Sequence, residues 1–302
     1  MLARLEHIGF TRACTMNDVA TEILRACAAE AHSRRPIRYR GAELELEVVD
    51  VLRADEATLE RLRAELTTIM LAAYATAPQA IRAGTASGPA EYLDHVLDHR
   101  VFGVFNTVVL VHAADGPIAF ARGHVCRQPV LGQELEIIRA GAHVTAEHQA
   151  QSLSSLAFTV AALRYARTHL SIDVPRYYVG LCANPVSYGF IHRRAARMHP
   201  SPERSGDAVM RALCEEGLAG EQRCGHLIAK PLATRLDDRL RAYVATTDDP
   251  LIRFFLEQNP DFEEGYALPI VVQLRPLDFT YAMGMHGWLT ARKLARRLQL
   301  GL

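Results

Sequence analysis

Three groups of residues near the middle of the chain have types and spacings that can do chemistry. Glu134 and Glu136 alternate along a predicted strand, so both side chains point to one face. A carboxylate there can take up a proton directly or through water. Tyr188 and His192 stand four apart on a predicted helix and share a face, and either can hand a proton to a leaving group held nearby. Between these two groups, the run Gln149, Ala150, Gln151, Ser152, Leu153 and Ser154 opens a helix. Free N–H groups and the dipole at a helix start can hold an anion, and Ser152, Ser154 and Ser155 add hydroxyl donors. Each group also has a purely structural reading: a solvent-facing strand edge, a half-buried packing tyrosine, a solvated histidine in the basic run HRRAAR, and a loop that caps a core helix.

Two further constellations stand beside these. Glu91, His95 and His99 are spaced by four on a predicted helix, with Asp94 and Asp98 in a neighbouring stripe. Such a stripe can bind a divalent metal, but it lacks a further strong ligand and the HExxH pattern, so no metal is expected. A polar face toward an acceptor is the preferred reading. Cys182 ends a predicted strand and could act as a nucleophile if His143 approached it; a buried strand-end thiol is the plainer reading. The six cysteines form no CxxC pair. Reduced thiols and a cytoplasmic location are therefore expected.

The elements that must position these residues follow from hydrophobic period. ELELEVVDV alternates as a half-buried strand, and Asp55 can cap the helix ATLERLRAELTTIMLAAYA, with Leu59, Leu62, Leu66, Ile69 and Met70 apolar. APQAIRAGTASGPA reads as loop and AEYLDHVLDHR as a short helix. VFGVFNTVVLVHA and PIAFARGHVC are strands separated by Ala114, Asp115 and Gly116, a hairpin signal. ELEIIRAGAHV is a strand, and the helix after it places Leu153, Leu156, Ala157, Val160 and Leu163 on one face. RYYVGLCA is a strand, then VSYGFIHRRAA a helix. Further on, AVMRALCEEGLAG and DDPLIRFFLEQNP read as helices, HLIAKPLA and ALPIVVQLRPL as strands. The beginning of the chain reads as helical around Val19–Ala29 and basic and turn-like at SRRPIRYRG. The tail HGWLTARKLARRLQL is a basic amphipathic helix.

Composition narrows the classes. Hydrophobic residues make up 49% of 302 and the formal net charge is +0, which gives a large core and no overall draw toward nucleic acid. No run of about 18 apolar residues occurs, so no membrane span is expected, and the N-terminus does not read as a secretory signal.

The order of these elements over roughly 43–200 resembles the GNAT acyltransferase superfamily. Its best-marked pieces are RAGAHVTAEHQAQSLSSLAF and LCANPVSYGF. The resemblance implies an α/β fold: a mixed, mostly antiparallel central sheet with a splayed parallel strand pair, flanked by helices. It divides the chain into an N-terminal extension (1–42), an acyltransferase core (43–200) and a C-terminal part that completes the sheet (201–302). It implies that backbone amides near His143 and Val144 bond a pantetheine arm and polarise its thioester carbonyl. The family's phosphate turn, Gln/Arg-x-x-Gly-x-Gly/Ala, matches Gln149, Ala150, Gln151, Ser152, Leu153 and Ser154, with Ser152 and Ser154 in the glycine positions. Glycine there lets the backbone approach phosphate closely. A carrier-protein arm has one phosphodiester and needs less room than CoA. The implied co-substrate is therefore acyl-CoA or acyl-phosphopantetheine on an acyl carrier protein. Asn184 would bond the arm. The family's acid tyrosine falls near Ile191 or His192, so Tyr188 or His192 would protonate the thiolate, and Glu136, favoured over Glu134, would help deprotonate a primary amine of a small molecule. The expected activity is N-acyl transfer. Thioester hydrolysis, decarboxylation and a non-catalytic carrier-binding module stay open beside it.

Overall fold

The computed structural model describes residues 32–83, 93–94, 96–97, 103–145, 147–148, 153–169, 174–203, 206–216, 222–234 and 238–275. The expected helices near Val19–Ala29 and in the tail lie outside them. In chain order the strands are β1 (His32–Tyr39), β2 (Ala42–Asp50), β3 (Tyr74–Thr76), β4 (Phe105–Ala113), β5 (Gly116–Val130), β6 (Gln133–Val144), β7 (Arg176–Cys182), β8 (Met198–His199), β9 (Arg223–Cys224), β10 (Leu227–Ala229), β11 (Leu232–Thr234) and β12 (Tyr266–Leu274). The helices are α1 (Glu56–Ala73), α2 (Pro78–Ala83), α3 (Leu153–Thr168), α4 (Pro185–His192), α5 (Ala208–Glu216), α6 (Asp238–Thr246) and α7 (Pro250–Gln258).

One sheet carries the molecule, in the order β1-β2-β4-β5-β6-β7-β12-β10-β9, with β8 paired to β12. Its described pairings are antiparallel except β6 with β7. A parallel neighbour requires a crossover, and α3 supplies it. This is the expected fold: mixed α/β, mostly antiparallel, with one parallel pair and helices on both faces. Alternation along the strands sorts the core. On one face, Leu62, Leu66 and Ile69 of α1 pack on Val49, Val108, Leu110 and Phe120, and α5 packs on Ile137, Val179 and Val271. On the other, Leu153, Leu156 and Val160 of α3 pack on Leu46, Val48 and Val109, while α4 and α7 cover Cys182, Leu268 and Ile270.

Asp55 caps α1 by accepting from the Thr58 N–H at 2.8 Å, as its position suggests. The β4–β5 turn is tighter than its three candidate residues, since Ala113 already pairs with Gly116. Three readings change. The run at 33–41, expected to be turn-like, is mostly strand β1, with the turn confined to Arg40 and Gly41, both at positive φ. Pro36 is tolerated because β1 is an edge strand, where a missing N–H breaks no inner ladder. Cross-strand pairs Arg34–Glu45 and Arg38–Glu43 explain the basic run. Pro78–Ala83, expected as loop, is helix α2. HLIAKPLA divides at Lys230 and Pro231: β10 joins the main sheet, and β11 pairs with β3.

A buried carboxylate ties β1, β2, β4 and α1 together. Glu47 accepts from Arg61, from His32 at 2.7 Å and from His112 at 3.0 Å. Burial alone would raise its pKa, but the bonds from His112, Arg61 and His32 outweigh burial and hold it at about 2 against an ordinary 4.5. Because the folded value lies below the unfolded one, this stabilisation is complete above about pH 4.5 and is lost as pH falls through about 2. The shift corresponds to on the order of 3 kcal/mol. Urea denaturation at pH 7 and pH 2.5 should show Glu47→Gln to be less stable at pH 7 and less acid-sensitive than the parent. Equal acid sensitivity would contradict the assignment.

Candidate functional site

The parallel contact between β6 and β7 is short. Glu136, Ile137 and Ile138 pair with Arg176, Tyr177 and Tyr178, and the register then ends. Both strands run on. β6 stays bonded to β5 as far as Val144 opposite Ala119, and β7 stays bonded to β12 as far as Cys182 opposite Leu268. The two strands therefore part, and beyond Ile138 and Tyr178 their facing edges have no strand partner among the described residues.

Backbone alternation identifies the groups that face the gap. The Glu136 N–H donates to Pro175 O on the β7 side at 3.0 Å, and the Thr145 N–H donates to Ile118 O on the β5 side at 3.0 Å. Amide directions alternate along a strand, so Ala140, Ala142 and Val144 present their N–H and C=O to the gap. The Ala140 carbonyl confirms this, because it accepts from the Tyr178 hydroxyl at 3.3 Å. Ala140, Gly141 and Ala142 are small, which leaves this edge open to close approach.

A polar cluster closes the other end. Glu136 is fully buried. Its Oε1 accepts from Arg127 Nε at 3.1 Å and Nη2 at 2.9 Å, and its Oε2 accepts from the Tyr165 hydroxyl at 2.8 Å. The buried Arg176 guanidinium pairs with the same Oε2 at 2.7 Å. Burial, then the bond to Glu136, pushes Tyr165 up to about 12, so it keeps its proton. The expectation that Glu136 lies toward the splay is therefore corrected. It sits where the strands join, with both oxygens engaged. Glu134 is exposed at the strand start.

The expected acids share a helix face, with ring centroids 5.9 Å apart, yet neither faces the gap. Tyr188 is fully buried and donates to Pro200 O at 2.9 Å, and burial raises its pKa well beyond the usual tyrosine range. His192 Nε2 lies 2.9 Å from Ser201 Oγ, and burial lowers its pKa. It borders a cavity of about 160 Å³ shared with Ser201, Glu203, Asp207 and Met210. Asn184 spends its side-chain carbonyl on the Ser187 N–H at 2.8 Å, capping α4 ahead of Pro185.

His143 places its ring on the α1 face, 2.6 Å from the Tyr74 hydroxyl through Nδ1 and stacked on Phe120 at 4.5 Å. Burial, reinforced by the charges of Arg122 and Lys230, lowers it to about 3, so the ring is neutral. Cys182 lies on the opposite face, and burial pushes its thiol up to about 12. A Cys182–His143 nucleophilic pair is not formed. Val144 and Leu153 bury their side chains in the core under α3. Gln149, Ala150, Gln151 and Ser152 lie outside the described residues, as do Glu91, His95, Asp98 and His99; Ser154 is within α3.

Glu47, Glu65 and His112 bring ligand atoms within 4.8 Å of one another. Arg61 bonds both carboxylates and already serves as their cation. Sequence reasoning missed Tyr178, Tyr165 and Arg176. One signal was present: in RYYVGLC a glycine follows an aromatic by two in a strand, the mark of a close approach.

No protein-family model and no curated protein matches the sequence. Among solved structures, a probable N-acyltransferase of unknown function from Enterococcus faecalis is similar at TM-score 0.32 and 10% identity, over 50% of this chain and 32% of that one. The chain thus spans about a third of that protein's length. A GNAT-superfamily phosphinothricin acetyltransferase from Sinorhizobium meliloti, solved with AcCoA, is similar at TM-score 0.30 and 13% identity, over 50% of this chain and 76% of that one. An aminoglycoside acetyltransferase from an uncultured soil metagenomic sample, solved with trehalose, is similar at TM-score 0.32 and 14% identity, over 55% and 92%.

Removing the Glu136 charge leaves the buried Arg176 guanidinium without its counter-ion. Breaking a buried pair in this way costs about 3–5 kcal/mol. Glu136→Gln should lower the urea midpoint by a corresponding amount. An unchanged midpoint would remove the cluster from its anchoring role.

Proposed function

We propose that this protein is an N-acyltransferase that takes an acyl group from a thioester arm lying in the β6–β7 splay and gives it to a primary amine of a small molecule. The observation that carries this reading is the open edge of β6. Three consecutive gap-facing positions, Ala140, Ala142 and Val144, sit between two strands that are each fully paired on their outer sides. Unpaired backbone groups inside a sheet are costly unless something bonds them. A pantetheine arm carries amides in an extended chain and can bond such an edge much as a strand would. Small residues at 140–142 give it room.

On this reading the Val144 and Ala142 amides hold the arm. The amide nearer the closed end polarises the thioester carbonyl. The carrier's phosphate lies toward the start of α3, where helix N–H groups favour an anion. The donor is acyl-CoA or an acylated carrier protein, and both suit the splay. Glu136 keeps the strand pair closed at its base and does not act as the base for the amine.

Mass spectrometry of the purified protein with acetyl-CoA, longer acyl-CoAs and acylated carrier protein tests the reading. A donor-bound species and acylation of added amines are expected. Failure to bind every thioester would overturn it, and hydrolysis of bound thioester with no amine acylated would favour thioester hydrolysis instead. Ala142→Pro offers a sharper check. It deletes an N–H that faces the gap and takes no part in the β5 ladder. Donor binding should weaken about tenfold, the size of one lost hydrogen bond, at an unchanged melting temperature. Equal affinity would contradict the proposed arm contact.

A further inference from the structure

The segment that follows β8 brings a serine and a histidine together. Tyr188 pins it to α4: the phenol donates to Pro200 O at 2.9 Å, one residue before Ser201. Farther along, the Gly206 N–H donates to His199 Nδ1 at 3.3 Å. A Cβ at 206 would fall 2.7 Å from the His199 ring, so glycine lets the two ends of the segment close on each other. One turn beyond Tyr188, His192 sets its Nε2 2.9 Å from Ser201 Oγ. The same Oγ accepts from the Glu203 N–H at 3.3 Å, which leaves its own proton for the imidazole. Burial lowers His192 from its ordinary 6.5; Glu203 opposes this and Arg193 adds to it. At neutral pH the ring is therefore an unprotonated base. The pair borders a cavity of about 160 Å³ that Arg197 and Asp207 also line. Pockets for drug-sized ligands run to ~300–1,000 Å³, so this one suits a small molecule. Arg197 reaches Asp207 at 3.5 Å and Gln273 at 3.4 Å. Bonds this long are weak, so the guanidinium can turn to an oxygen within the cavity.

We infer that this cavity is a second catalytic site, in which Ser201 is the nucleophile and His192 its general base for the cleavage of small acyl esters. The inference does not rest on the acyl-transfer reading above. Ser201 Oγ bonds the carbonyl carbon of the ester and gives its proton to His192 Nε2. Arg197 meets the negative charge that develops on the carbonyl oxygen. The ester C–O bond then breaks, and the departing alcohol oxygen takes the proton from His192. An acyl group is left on Ser201. Water, deprotonated by the same imidazole, attacks that acyl carbon; the acid leaves, and Ser201 Oγ recovers its proton from His192. One ester and one water give one acid and one alcohol.

The test uses the full chain with two probes, diisopropyl fluorophosphate and p-nitrophenyl acetate. The fluorophosphate loses fluoride and leaves its phosphorus on an activated serine oxygen. Peptide mass spectrometry should find one adduct, on Ser201, in the native protein and none after denaturation in urea. His192→Gln should slow its formation by about 100-fold or more, the scale of general base catalysis. Ser201→Ala should abolish it, and with it the hydrolysis of p-nitrophenyl acetate, at an unchanged melting temperature. The rate of labelling should fall as pH is lowered, with its midpoint below 6.5. Glu203, Arg193, Arg197, Asp207 and Tyr188 are the titratable or charged groups around the ring, and of these Glu203 and Arg193 set its shift. This profile decides the matter if His192→Gln does not fold, since a serine labelled without a base shows no such midpoint. No adduct on Ser201, or equal labelling of wild type and His192→Gln, would overturn the inference. So would ester hydrolysis that Ser201→Ala retains in full.

Discussion

The site depends on two parallel strands that are held together at one end and forced apart at the other. Glu136, Arg176 and Tyr165 lock the closed end with ionic bonds in a dry environment. Each outer edge of the pair is pinned separately, β6 by the long β5 hairpin and β7 by β12. The strands diverge between these two rigid halves. They cannot slide shut without breaking an outer ladder, so the gap is a property of the whole sheet.

This arrangement separates charge from chemistry. A buried carboxylate with two arginines on it is well suited to fix a strand register, and both its oxygens are already engaged. Among the described residues, the groups at the edge of the gap are neutral: backbone amides, a phenol and small side chains. Such groups bond an extended amide chain at little desolvation cost. The same sheet carries a neutral imidazole and a protonated thiol on opposite faces, each held so chiefly by burial, as His143 and Cys182 show.

Much of the fold was legible in the sequence. The strand period of 43–51, the hairpin at Ala114–Asp115 and the helix after Val144 each carried a local signal strong enough to survive tertiary context. The element order then pointed to a parallel pair. The rest was not legible, for physical reasons. A carboxylate alternating on a strand reads the same whether it faces a substrate or a buried guanidinium, and only the partner strand's register decides. Arg176 lies 40 residues from Glu136 in sequence, and no local pattern links them. Tyr188 and His192 did share a face, but their hydroxyl and ring nitrogen are committed to the Pro200–Ser201 segment, which no helical period reveals. β1 was hidden because proline and arginine read as a turn unless the strand is known to be an edge.

The most direct measurement is amide hydrogen exchange along β6, with and without an acyl-CoA or acylated carrier protein. The gap-facing amides of Ala142 and Val144 should exchange quickly alone, while odd-numbered neighbours bonded to β5 are protected. Donor binding should slow Ala142 and Val144 and leave the β5-facing amides unchanged. Exchange at Ala142 and Val144 that is indifferent to a bound donor would contradict the central claim that the thioester arm lies in the β6–β7 splay.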